Sequence, residues 1–349
     1  MKTSILTPQI KEKLETWWEN GEQEHPCLLF TLPKENARPA PNTDDLVRYW
    51  MDVDLTIERA MRGIDNTEYY GVAVPCHFPN LGSSSMAGVL GARMEYLDKG
   101  TIWPFPSLDS LDQLLDIRID PPNEFYRTIL ELTDRSAALS HDHHYVAPFA
   151  LEGPLDNICA VYGNERTLMA MIEQPDKVHA AMSHFKTLWI EAFQQVQELI
   201  ARGGNEGGIG WAGIWAPGTT FPMQEDVTYM ISNEMFDTFC MPHLRDIVDA
   251  MDYAFYHLDG VRSLCHLDSL LSIEGLRGIQ WVPGPGYEEV AQWYDLFNYI
   301  ISKGKSVEVF AKIDEIDDLV KHVGPRGLLI GCHPATRQEA ERLLEQYGN

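Results

Sequence analysis

The chain has 349 residues, 44% of them apolar and 23% charged, which is enough for a large buried core. Its formal net charge of −25 argues against nucleic acid or an anionic membrane as partner, since both demand a basic face. No apolar run reaches the length of a membrane span, and Met1 to Asn20 is polar and amphipathic, unlike a signal peptide. Cys27, Cys76, Cys159, Cys240, Cys265 and Cys332 are scattered, with no CxxC pair. That usage fits a reducing, cytoplasmic setting.

Residues 8–19 predict a short helix carrying Trp17 and Trp18, an N-terminal cover for the rest of the chain. The first strand is expected over 25–32, followed by a proline-rich loop to residue 43 and a helix over 44–62 with apolar positions at helical spacing. A second strand is expected over 69–76, then a glycine- and serine-rich loop to 91, an irregular insertion around Trp103 to Pro106, and a helical zone over 108–139. The pattern then becomes regular. Strands are expected over 143–151, 208–215, 252–260, 277–284, 306–312 and 327–332. Helices fill 155–162, 165–173, 175–202, 225–250, 263–276, 287–302, 314–323 and 336–346, with Thr336 and Glu339 in capping-box spacing.

Eight apolar strands, each followed by helix, point to a parallel sheet covered on both faces and to an α/β fold of the (β/α)8 TIM-barrel type. The expected organisation is a cover over 1–24 and a single barrel over 25–349, with long insertions from Phe78 to Leu139 over the C-terminal mouth. The competing open, doubly wound sheet has a nominal fingerprint at Gly208, Gly210 and Gly213. Those glycines lie within a strand pattern, and no helix begins at the third.

Barrel enzymes place their chemistry at the C-terminal strand ends. Here the ends carry Cys76-His77, Glu152, Trp215, His257 with Asp259, Gln280, Lys312 and Cys332-His333. His257 and Asp259 stand two apart in one strand, so their side chains face one space. Cys332 precedes a capped helix, whose N-terminus favours a thiolate. Imidazole, carboxylate and thiolate are all zinc ligands, and three of them with one open position is the catalytic pattern. His257, Asp259 and Cys332 are therefore the candidate metal ligands; an ordinary buried cysteine is the competing account of Cys332. His257, Asp259 and Glu152 are the candidate catalytic groups. Trp211, Trp215, Tyr256 and Gln280 are candidates for substrate contact. Asp226 and Tyr229 could overhang the pocket, although a helix-start carboxylate is the simpler account of Asp226. The His141-Asp142-His143-His144 cluster reads as solvated loop at the wrong end of its strand, and His266 as a loop residue.

Five stretches carry a family resemblance: PNLGSSSMAGVLGARMEYL from Pro79, APFALEGPLDNICAVYGNERTL from Ala147, MISNEMFDTFCMPHL from Met230, YHLDG from Tyr256 and GCHPATRQEAERLL from Gly331. With them the chain resembles the uroporphyrinogen decarboxylase superfamily, and within it the branch of cobalamin-dependent, zinc-containing methyltransferases. The resemblance implies one barrel with its pocket at the strand C-termini. It also implies zinc held by a His-x-Cys pair and a distant Cys, which His257 and Cys332 match. Asp259 stands where that branch has cysteine, which makes the ion harder and puts a thiol acceptor in doubt. The decarboxylase proper has an arginine-rich N-terminal substrate motif; residues 25–34 hold no arginine.

The expected function is a methyltransferase moving a methyl group to or from a corrinoid carrier protein, with zinc as Lewis acid and methylcobalamin on the partner. The alternatives are a metal-independent decarboxylase-type lyase, with Asp259 or Glu152 handling protons, and a non-catalytic corrinoid- or small-molecule-binding protein. Expected partners are a small-molecule substrate, a corrinoid protein and a second copy of the chain in a homodimer.

Overall fold

The computed structural model describes residues 5–347. The first four residues of the expected cover and the last two of the expected barrel lie outside the described residues. The helix Pro8–Trp18 starts where expected, with Thr7 accepting from the Ile10 amide at 3.2 Å and Pro8 at the first helical position. The helix expected over 44–62 is split into Leu46–Met51 and Val53–Asp65. Asp52 ends the first piece and caps the second, accepting from the Leu55 amide.

The architecture is mixed α/β around a seven-stranded, mostly parallel sheet. Its order is Thr67–Gly71, Cys27–Pro33, Leu328–Gly331, Ser306–Phe310, Leu276–Val282, Tyr253–Asp259 and Thr220–Met223. All neighbours run parallel except the first pair. Strands in register place His257 beside Gln280, and Gln280 beside Glu308. Among the described residues three shorter pairs stand apart from this sheet: Cys76–His77 with Tyr145–Val146 in parallel, and Arg93–Glu95 with Trp103–Phe105 and Gly208–Ile209 with Trp215–Ala216 antiparallel.

Three expectations are corrected here. The strand expected over 69–76 is an antiparallel edge strand, Thr67–Gly71, that turns at Gly71 before the short Cys76–His77 segment. The strand expected over 208–215 is a small hairpin. The sheet strand in that region is Thr220–Met223, hidden from periodicity reading because Pro222 sits inside it. The helix expected over 225–250 is broken into a 3₁₀ turn, Asp226–Met230, and the helices Asn233–Phe239 and Met241–Asp249.

Two apolar clusters form the core. The larger lies between sheet and helices and holds Leu328, Ile330, Tyr256, Leu258 and Trp189. The smaller lies on the other face of the sheet and holds Leu329, Phe255, Tyr145, Ile209 and Trp215, with Trp17 and Trp18 of the first helix packed into it. The first helix is fastened there by the Trp18 indole donating to the Trp215 carbonyl at 2.8 Å and by the Ser306 hydroxyl donating to the Trp17 carbonyl.

The histidine cluster is not simply solvated loop. His141 and Asp142 are exposed, but His144 is fully buried and belongs to a hydrogen-bonded chain. His143 reaches Asp65 at 3.3 Å and His144 at 2.8 Å; Ser136 Oγ links His144 at 3.0 Å to His77 at 2.7 Å. His266 is likewise buried, stacked on Phe236 and facing the Thr228 carbonyl at 3.0 Å.

Candidate active site

Two elements supplied by the resemblance stretches build the largest wall of a cavity of about 530 Å³. One is the segment from Ser83 to Ser84. The other runs from Glu152 into the helix Pro154–Tyr162. The opposite wall is Gln224, Asp226, Tyr229 and Met230, just past the Thr220–Met223 strand. Trp103 to Pro106 from the long insertion closes the side.

Glu152 is the unusual group in this wall. Its backbone has φ of +48°, the left-handed region that a non-glycine residue occupies at a cost of about 1–2 kcal/mol. Such strain persists where the surroundings over-determine it. Here the Trp189 indole donates to the Glu152 carbonyl at 2.7 Å and Ser84 Oγ donates to Oε1 at 3.0 Å. Oε2 is buried and, among the described residues, has no hydrogen-bond partner. Desolvation first, and then the nearby Asp156 charge, holds the Glu152 carboxyl protonated well above the usual range.

Beneath it, two carboxylates exchange partners. Glu225 accepts from the Leu155 and Asp156 amides, both at 3.1 Å, at the start of the helix Pro154–Tyr162. Asp156 accepts from the Asp226 and Val227 amides at 2.7 and 2.8 Å, at the start of the 3₁₀ turn. Each carboxylate thus answers the orphan amides of the other's element. Burial nevertheless pushes Asp156 up to about 7 and moves Asp226 and Glu225 upward as well. The exchange requires Gly153: a Cβ there would stand 2.1 Å from Glu225 Cδ and 2.3 Å from the Gln224 carbonyl. Gly153→Ala is expected to cost about 1–3 kcal/mol by overpacking, read as a lowered denaturation midpoint. An unchanged midpoint would show that the two walls are not locked together.

A second group of side chains lies on the Phe255 face of the sheet. Gln280 Nε2 donates to Glu308 at 2.6 Å, which turns its carbonyl oxygen to accept from His257 Nδ1 at 2.5 Å. Trp211 packs edge-on to His257 with ring centroids 5.2 Å apart, its indole donating to the Pro222 carbonyl. Burial pushes the Glu308 carboxyl up to about 8. Asp259, two residues beyond His257, is exposed and lines a neighbouring cavity of about 420 Å³ with Asp226, Tyr229 and Arg262. Asp226 stands within electrostatic range of His257 and Asp259 on one side and of Glu152 on the other. It therefore connects the two groups.

The other expected site residues fall elsewhere. Tyr256 points to the opposite face of its strand and is buried against the helices, and Trp215 is buried beside the first helix. Gln280 has both ends of its amide engaged within the protein. Cys332 shares a face with Leu328 and Ile330, whereas His257 shares a face with Phe255 and looks toward the side of Leu329. Burial in aliphatic surroundings pushes the Cys332 thiol up to about 12. His257, Asp259 and Cys332 are therefore not brought together. Among the described residues, no group of three or more His, Cys, Asp or Glu is arranged to hold a metal ion. The residues present do not fit the three-ligand zinc set.

Asp156 and Glu225 carry no signal in the sequence beyond their place at element starts, and for Asp226 a helix-start charge is the simpler reading there. The pairing across 69 or more residues that turns them into a wall is tertiary. No protein-family model and no curated protein matches the chain. Among the described residues, no helix is long and apolar enough to cross a membrane.

Proposed function

We propose that the chain is a methyl-transferring enzyme of the uroporphyrinogen decarboxylase superfamily, in which Glu152 holds the proton that the leaving heteroatom of the methyl donor takes up. The observation that carries this reading is the buried, strained Glu152 with a free Oε2 on the cavity wall. A carboxyl that burial holds protonated above the usual carboxylate range is what general-acid chemistry requires. The stretches that carry the resemblance supply Ser83, Ser84, Glu152, Asp156 and Cys159 to this wall. The resemblance implies methyl transfer to or from a corrinoid on a partner protein; in the direction proposed here that corrinoid would take the methyl group. This chain's residues would bind and orient the donor and hold the proton.

The same resemblance implies that the sheet belongs to a (β/α)8 barrel. Two features support that closure. Cys76–His77 and Tyr145–Val146 run parallel to each other, and Tyr145 and Ile209 share the inner cluster with Phe255 and Leu329 of the main sheet.

A decarboxylase-type lyase is less well supported. A substrate carboxylate needs a cationic clamp. Among the described residues lining the cavity there is no Lys, Arg or His. Methyl transfer is tested by offering the purified protein neutral and cationic methyl donors with a corrinoid acceptor, before and after chelation. Demethylated product that survives chelation is expected, with no decarboxylation of uroporphyrinogen. Release of CO₂ from a carboxylate substrate without methyl transfer would overturn the reading.

A further inference from the structure

We propose that Glu308 and Gln280 are positioning residues that hold His257 as its Nδ1–H tautomer, leaving Nε2 as a bare acceptor for an O–H or N–H of the methyl donor. This rests on the methyl-transfer reading and adds to it what the donor must carry besides its methyl group.

The direction of the chain follows from which atoms have a hydrogen to give. Glu308 and Gln280 are both buried, and the register of three neighbouring strands lines them up with His257. Gln280 Nε2 donates to Glu308 Oε2 at 2.6 Å, and that oxygen accepts whether the carboxyl is ionised or carries its proton on the other oxygen. The amide oxygen of Gln280 is thereby turned to His257 Nδ1 at 2.5 Å. An amide oxygen has no hydrogen, so Nδ1 must be the donor. The other nitrogen of a neutral imidazole then holds a lone pair and no hydrogen. Histidine in water prefers the opposite tautomer, so the relay acts against the ring's own bias.

Trp211 fixes the ring from another side, itself tied to the Pro222 carbonyl at 2.9 Å. Nε2 is the polar atom left over. Among the described residues it has no hydrogen-bond partner, yet it is not sealed from solvent. His257 precedes Asp259 by two residues on one side of the strand Tyr253–Asp259, one layer below the cavity of about 420 Å³ that Asp259 lines. Asp226, which borders both cavities, faces the ring. A bare acceptor in that place answers a ligand hydrogen. A methyl donor with a hydroxyl or N–H gains a bond there, whereas one offering only ether oxygens or hydrocarbon leaves Nε2 unanswered.

The test is nitrogen NMR of the full chain, isotope-labelled in its histidine rings, before and after chelation, with His257→Gln assigning the signal. Expected is a His257 ring in the Nδ1–H form. Gln280→Met should lose that preference, and Glu308→Gln, whose amide oxygen still accepts, should keep it. Phenol should shift the Nε2 resonance, and toluene, its isostere without a hydroxyl, should not. Phenol should also bind about three- to tenfold more tightly than toluene, as expected of one net hydrogen bond, and Gln280→Met should erase that margin. An Nε2–H ring, a ring protonated at both nitrogens, a metal on Nε2, an unchanged tautomer in Gln280→Met, a lost one in Glu308→Gln, or phenol acting no differently from toluene would overturn the inference. None of these readouts needs turnover, so methyl transfer stands or falls separately by product analysis.

Discussion

Glu152→Gln is expected to lower turnover by about 10²- to 10⁴-fold, the usual worth of a positioned proton donor. The amide keeps the shape and the Ser84 contact but has no acidic proton to give. Its thermal midpoint should stay level or rise, because the substitution removes a buried ionisable group while the left-handed backbone is retained. The pH profile separates donor from spacer. Because the Glu152 carboxyl is held protonated well above the usual range, the active form is the acid, and the rate should fall as pH rises through its value. Glu152→Gln should lose that alkaline limb. A variant that keeps the limb, or that keeps full turnover, would remove Glu152 from the chemistry.

The second large effect is on stability in acid. Burial lowers His77 from 6.5 to about 3 and His144 from 6.5 to about 4, with neighbouring imidazoles adding to it. Both are neutral in the folded chain and take up protons readily once unfolded. Their contribution is therefore complete above pH 6.5 and is lost as pH falls from there toward the folded values. At roughly 1.4 kcal/mol per pKa unit, the loss amounts to several kcal/mol in strong acid. One consistent arrangement of protons runs through the chain. His77 Nδ1 donates to Ser136, Ser136 to His144, His144 to His143, and His143 to Asp65. A further proton on His144 would put a donor against a donor. Buried carboxyls with raised values, Asp156 and Glu308 among them, pull the other way as pH falls, so the histidine effect is read by difference: the wild-type denaturant midpoint should fall relative to that of His144→Gln as pH drops below 6.5. A difference that stays constant across that window would refute the account.

Much of the framework is legible in the sequence because its signals are local. The helices at 154–162, 164–173 and 175–201 begin at prolines or after a glycine and match their apolar spacing. The later strands are mostly apolar runs, broken by single polar residues such as His257, Gln280 and Glu308. What cannot be read is what depends on distant partners. Pro222 disguises a sheet strand, and with it the meaning of Gln224 to Asp226. The inward and outward faces of strands buried on both sides look alike in sequence. Cys332 and Tyr256 therefore read as neighbours of His257 in one space, whereas each lies one residue out of phase with the face of Phe255 and Leu329. Glu152 is legible as a strand-end acid, but its exposed-looking neighbours give no hint that one oxygen is sealed in without a partner.

The docking of the first helix has a consequence for how the chain is made. Trp17 and Trp18 pack on Phe255, and the Trp17 carbonyl is held by Ser306; Asn20 bonds the Ile301 and Lys305 carbonyls and is itself gripped by Arg326. The strand Cys27–Pro33 likewise waits for Leu328–Gly331 on one side. During synthesis from the N-terminus, every one of these partners leaves the ribosome late. The two tryptophans remain bare until Trp215 to Phe255 have emerged, and one edge of the first strand until Leu328–Gly331 has. Nascent chains stalled before residue 300 should bind holdase chaperones through this segment, and release should follow completion of the C-terminal strands.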